Sequence, residues 1–145
     1  MNQADSVYEI EAAAVRLLAR AESSVMLLRQ KLLKKGFSET LVEAVLADLQ
    51  ARNLLSDERF AEQYFSLRTA KGYGPLRVKM ELRNKGISDD LAQAVIEQPD
   101  HFWHRKIDQV REKKFGHLAL AENDFKALSR QARFLEYRGF PVSMI

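Results

Sequence analysis

The run RQKLLKKGFSETLVEAV, from Arg29 to Val45, returns as KMELRNKGISDDLAQAV, from Lys79 to Val95. Gly36 and Gly86 hold the same place in the two copies, and a weaker echo, RFLEYRGFPVSMI from Arg133 to Ile145, puts Gly139 there again. Each copy reads as helix, glycine, helix. Val25, Leu28 and Leu32 recur at helical spacing ahead of Gly36, which suits the left-handed position that ends a helix. Phe37 is placed to pack back over that end. Ser38 reads as the N-cap of the next helix, Glu39 favours its positive dipole end, and Leu41, Val45 and Leu49 form an inner stripe. The second copy follows the same grammar. Pro75 opens a helix, Val78 and Leu82 face inward, Gly86 stops it, and Ser88 with Asp89 and Asp90 restarts the chain.

A further helix precedes each pair, at Asp5 to Arg20, Asp57 to Lys71 and Asp100 to Phe115. Each supplies large apolar groups, such as Phe60 and Tyr64 one turn apart, or Trp103, Ile107 and Val110. The unit is therefore three helices. The pattern predicts an all-α chain of three tandem three-helix repeats in an elongated, curved array, over residues 1–55, 56–98 and 99–145. One small unit cannot bury its apolar face alone, so the copies stack and leave an extended surface that suits a partner better than a small substrate. The third copy departs from the others. The stretch from His117 to Lys126 lengthens its first link, and Met144 falls where Leu41 and Leu91 sit, so most of its last helix is expected to be missing.

At 145 residues, 46% hydrophobic and 30% charged, the chain is long enough for a packed core and is neither disordered nor collagenous. It has no cysteine, hence no disulfide framework or thiolate zinc site. The N-terminal stretch MNQADSVYEIEAAAVRLLAR lacks the signature of a secretory signal, and no apolar run approaches membrane-spanning length, so the expected location is the cytoplasm. Catalytic constellations are absent, and no cofactor or metal is expected. His101 and His104 have no third ligand nearby, and the paired acids at Asp57-Glu58 and Asp89-Asp90 suit helix starts. The net charge of +3 is modest, but Arg68, Lys71, Arg77, Lys79, Arg83 and Lys85 cluster in one segment against a single acid, Glu81.

The string LLSDERFAEQYFSLRTAKGYGPLRVKMELRNKGI, from Leu54 to Ile87, resembles the signature of the RecX family of bacterial regulators of the RecA recombinase. The resemblance rests on Asp57, Arg59, Phe60, Arg68, the Gly72-Tyr73-Gly74-Pro75 turn, Glu81-Leu82 and Lys85-Gly86-Ile87, with RQKLLKKGF before it and RFLEYRGF after it. It implies a non-enzymatic regulator that binds the RecA filament along its groove and restrains its ATPase, strand-exchange and coprotease activities.

The residues point to a basic docking strip. On the helix from Pro75, Lys79 and Arg83 stack one turn apart beside an apolar strip of Leu76 and Met80, while Arg77 lies four residues before Glu81. Lys79 and Arg83 have no acid at helical spacing on their own helix. Arg29 takes the place of Lys79 in unit one, and Arg130 that of Arg77 in unit three. With Arg68, Lys71, Tyr73 and Lys85 these make the candidate partner and DNA contacts, Tyr73 being expected chiefly to staple the helix junction. The partners expected are the RecA filament and, weakly and without sequence preference, single- or double-stranded DNA, met by a monomer. The rival reading is a helix-turn-helix DNA reader. Its recognition helix would start SETLVEAV or SDDLAQAV, however, and acids there repel phosphate.

Overall fold

The computed structural model describes residues 3–116 and 124–145. Among these residues eight α-helices follow one another: α1 (Gln3–Arg20), α2 (Val25–Lys34), α3 (Glu39–Ala51), α4 (Asp57–Ala70), α5 (Pro75–Asn84), α6 (Asp89–Ile96), α7 (Asp100–Phe115) and α8 (Phe125–Tyr137). A single 3-10 turn, Val142–Met144, closes the chain, and among the described residues there is no strand. The third unit thus ends on one turn where the others have a helix. Residues 117–123 of its lengthened link lie outside the described residues.

The punctuation acts locally as its chemistry dictates. The hydroxyls of Ser24, Ser56 and Ser88 accept from the N–H groups of Leu27, Arg59 and Leu91 at 3.1, 3.1 and 3.2 Å, satisfying donors that a helix start leaves open. Ser38 stands at the N-cap of α3 but makes no side-chain cap bond. Gly36, Gly86 and Gly139 have φ of +93°, +89° and +101°, so the repeated glycine is a left-handed helix stop in all three units. On α3 the buried stripe is Val42, Val45, Leu46 and Leu49. Leu41 is only half-buried, because the wall formed with α1 and α2 faces the helix one position further round than the spacing of Leu41, Val45 and Leu49 predicts.

The three units do not make three cores. Ile10, Leu28, Leu32, Val42, Leu46 and Leu49 form one core inside α1–α3, closed by Leu55 from the link to α4. A second is built jointly by α4–α6 and by α7, α8 and Phe140, with Phe60, Phe65, Leu82, Trp103, Ile107 and Leu135 in a single cluster. Trp103 is 2% exposed, meets Phe65 and Phe140 edge-on, and donates its indole N–H to the carbonyl of Ile96 at 3.1 Å.

The seams differ accordingly. Unit one meets unit two through polar groups, the Ser24 hydroxyl donating to the Lys85 carbonyl at 2.6 Å, the Val25 N–H to the Asp57 carboxylate at 2.8 Å and Arg59 pairing with Glu22 at 2.5 Å, and through Met26, which packs directly on Gly86. Units two and three meet backbone to backbone. The Gly74 N–H donates to the Arg138 carbonyl at 2.8 Å, and the Leu76 N–H to the Gly139 carbonyl at 3.0 Å. A Cβ on Gly139 would stand 2.4 Å from the Cβ of Arg77, so the approach requires glycine for space as well as for φ.

Two substitutions test this frame. Leu82 is fully buried, and Leu82→Ala is expected to lower unfolding free energy by roughly 2–5 kcal/mol. Gly139→Ala, at a left-handed φ, is expected to cost roughly 1–3 kcal/mol from backbone strain alone and to loosen α8 from α5. Urea melts that match the wild-type curve for either variant contradict the shared core or the backbone seam respectively.

Candidate partner-binding surface

The Gly72-Tyr73-Gly74-Pro75 turn carries the chain from α4 into α5 and turns the Tyr73 ring back over the junction, half-buried against the joint core. Three guanidinium groups surround it. Arg68 from α4, Arg77 from α5 and Arg138 from the end of α8 place Cζ at 4.0, 4.5 and 4.9 Å from the ring centroid. Tyr73 is therefore a staple, as its place in the turn suggests. Arg138 also donates from Nη1 to the Lys71 carbonyl at 3.1 Å.

One carboxylate organises this cluster. Glu81 accepts from Arg68 in a two-pronged pair at 2.9 and 3.0 Å, from Arg77 at 3.3 Å and from the Tyr64 hydroxyl at 3.0 Å. Partial burial works to raise the Glu81 pKa. The bonds from Arg68 and Tyr64 outweigh it, so Glu81 ionises below the usual carboxylate range. Arg68 is raised in turn, chiefly by its hydrogen bond to Glu81. Arg68, Tyr73 and Arg77, drawn together from the sequence as contacts for a partner, are thus held largely by one another.

The remaining candidates fall into separate places. Lys79 and Arg83 lie on α5 beside Leu76 and Met80, and the four line one shallow groove. They are not without an acid: Asp89, at the start of α6, stands 3.7 Å from Lys79 and 3.5 Å from Arg83, and Lys79 donates to Gln93 at 2.8 Å. Spacing along α5 could not reveal an acid that the Gly86 turn folds back onto it. Arg29 pairs likewise with Glu43 on α3, which holds the Glu43 carboxyl below its ordinary range. Lys85 sits over the Tyr64 ring at 5.4 Å, and its carbonyl belongs to the seam with unit one. Lys71 is exposed at the end of α4, and Arg130 is exposed on α8, lining a shallow depression with Lys126 and Arg133. Arg138 was missing from the sequence-derived set. Its signal was available, since it precedes Gly139 as Lys35 precedes Gly36 and Lys85 precedes Gly86.

Models of the three RecX domains match the chain in order: the first three-helix domain at residues 12–49, the second at 56–96 and the third at 105–145. The regulatory protein RecX of Legionella pneumophila (strain Corby) is 42% identical over 135 residues, covering 92% of this chain and 87% of that protein. That of Halorhodospira halophila is 37% identical over 146 residues, covering 100% of this chain and 89% of the relative. The chain belongs to the RecX family. It is accordingly a member of a family of regulatory proteins. The crystal structure of RecX from Lactobacillus salivarius superposes with a TM-score of 0.85 at 22% identity, over 97% of this chain and 92% of the other, which shows the shared all-helical repeat fold. Among the described residues no helix is long and apolar enough to cross a membrane.

The Glu81 cluster makes a prediction about acid. A carboxyl whose folded pKa is depressed contributes stability that is present above its unfolded value, about 4.3, and is lost as pH falls through the folded value. Glu81→Gln is therefore expected to destabilise by roughly 1–3 kcal/mol at neutral pH, with the gap to wild type closing below about pH 4. Melting curves taken across that range check it, and a gap that stays constant with pH would show that charge plays no part.

Proposed function

We propose that this RecX-family chain binds the RecA nucleoprotein filament and restrains its ATPase, strand-exchange and coprotease activities, docking through the outer face of α5. The observation that carries the reading is the make-up of that face. Leu76 and Met80, each 55% exposed, lie in one groove with Lys79 and Arg83, so apolar area and positive charge are offered together. A bare polyphosphate partner gives no reason to expose two large apolar side chains there, whereas an acidic protein surface with apolar patches matches both. Acting on a filament assembled on DNA, the chain works in the cytoplasm and as a monomer.

Sequence-specific DNA reading is the weaker alternative. The helices that follow the glycine turns begin with Glu39 and with Asp89 and Asp90, and Asp89 and Glu43 are engaged in neutralising the basic helix before the turn. Acids at the start of a recognition helix repel the phosphates of a major groove, paired or not. Contacts with DNA are then expected to be indifferent to sequence and steeply weakened by salt.

The test is suppression of ATP hydrolysis by a RecA filament already formed on single-stranded DNA. Leu76→Ser with Met80→Ser, and separately Lys79→Ala with Arg83→Ala, should each weaken suppression by about tenfold or more, since one well-buried apolar side chain at an interface contributes about 1.5–3 kcal/mol. Helical content should remain that of the wild type. Full suppression by both variants would falsify α5 as the docking face. Selection of one sequence from random oligonucleotides, with no gain in affinity when RecA coats the strand, would favour the DNA reader.

A further inference from the structure

A cleft of about 260 Å³ lies where the end of α4 meets α7 and α8. Its cations come from three elements: Lys71 closes α4, Lys106, Lys113 and Lys114 come from α7, and Arg138 ends α8. Among the described residues no carboxylate lines it. In the neighbouring Tyr73 cluster, by contrast, Arg68 and Arg77 are held by Glu81, and Arg138 is the residue the two places share. Cations gathered for structure need a fixed counter-charge. Among the described residues the five have no carboxylate between them, so an anion held there would relieve their mutual repulsion.

The rest of the wall presents the charges without consuming them. Lys114 Nζ and Arg138 Cζ stand 5.3 and 5.1 Å from the Phe134 ring centroid, and Lys106 Nζ stands 5.5 Å from that of Phe102. Phe134 lines the cleft and Phe102 lies behind it, and neither ring takes up a lysine N–H, whereas Arg138 already spends one Nη1 donor on the Lys71 carbonyl. Because Phe134 is already flanked in this way and meets Phe115 edge-on, it offers no clear face for stacking a base. The helix-end dipole accounts for Lys113 and Lys114 in the last turn of α7, but not for Lys106, about 10 Å back along the same helix. A row of that length is longer than one phosphate group can span, so it suits several in succession.

From this convergence we infer that the cleft binds adjacent phosphate groups, as an oligophosphate. The source is either a free polyphosphorylated small molecule or the backbone of a nucleic-acid strand. The site is separate from the α5 face and does not depend on the filament reading. It is tested on the full chain alone, with no filament present.

Inorganic tripolyphosphate titrated calorimetrically at about 50 mM salt should bind with one-to-one stoichiometry. Lys71→Gln with Lys113→Gln, both exposed and so neutral to folding, should weaken it at least about tenfold, since a charged hydrogen bond contributes about 1.5–3 kcal/mol. Arg130→Gln with Arg133→Gln, which removes equal charge from the outer face of α8, should leave it within about twofold. Absence of one-to-one binding, or equal weakening by both double variants, overturns the site and reduces it to general surface charge. A single-stranded oligonucleotide that displaces tripolyphosphate identifies the strand backbone as the source. One that leaves it bound identifies free oligophosphates. Either result upholds the phosphate chemistry.

Discussion

The structure turns on two helix ends that satisfy each other. The start of α5 has open N–H donors and the turn that ends α8 has open carbonyls, and the bonds from Gly74 to Arg138 and from Leu76 to Gly139 pair two of each. The positive end of one helix dipole meets the negative end of the other, and α5 needs no side-chain cap, having Gly74 at that position and Pro75, which lacks the donor, next to it. Such bonds form only if the two backbones touch, which Gly74 and Gly139 alone permit. From that contact follow the joint core of units two and three, the position of Arg138 over Tyr73, and the cleft that Arg138 shares with α7.

Charge is then distributed by what each cation finds nearby. Glu81 collects Arg68, Arg77 and Tyr64 and converts the most basic-looking part of the sequence into a braced joint. Glu43 does the same for Arg29 in a two-pronged pair, and Asp89 more loosely for Lys79 and Arg83, all in fuller solvent. Exposed pairs of this kind contribute little to stability, so those side chains stay available to exchange their partner for a stronger one. Arg68 is not available in that sense, because leaving Glu81 would strand a partly buried carboxylate.

The seam between units one and two is of a different kind. It is built from serine, aspartate and arginine contacts with Leu27 as its apolar link to the joint core. Polar seams give up less apolar burial when they open than a shared core does. Units two and three thus make one body, to which unit one is joined by a largely polar seam and the close packing of Met26 on Gly86, although the sequence repeats three times.

Sequence alone determined the helices, their ends and their grouping, because those follow from short-range rules: apolar spacing around a helix, serine and proline at its start, glycine at its stop. It also pointed to Trp103 as core and favoured Tyr73 as a staple, while leaving open a role for Tyr73 as an exposed contact. Tertiary structure decided which cations are partnered and which cores are shared. Spacing along α5 could not show that Asp89 returns to Lys79 and Arg83 across the Gly86 turn, nor that Arg138 arrives from the far end of the chain to join Tyr73 and the cationic cleft. The physical reason is one of range. Helix periodicity is written in neighbours three and four residues apart, whereas electrostatic partnership depends on distance in space, which only the packed fold supplies.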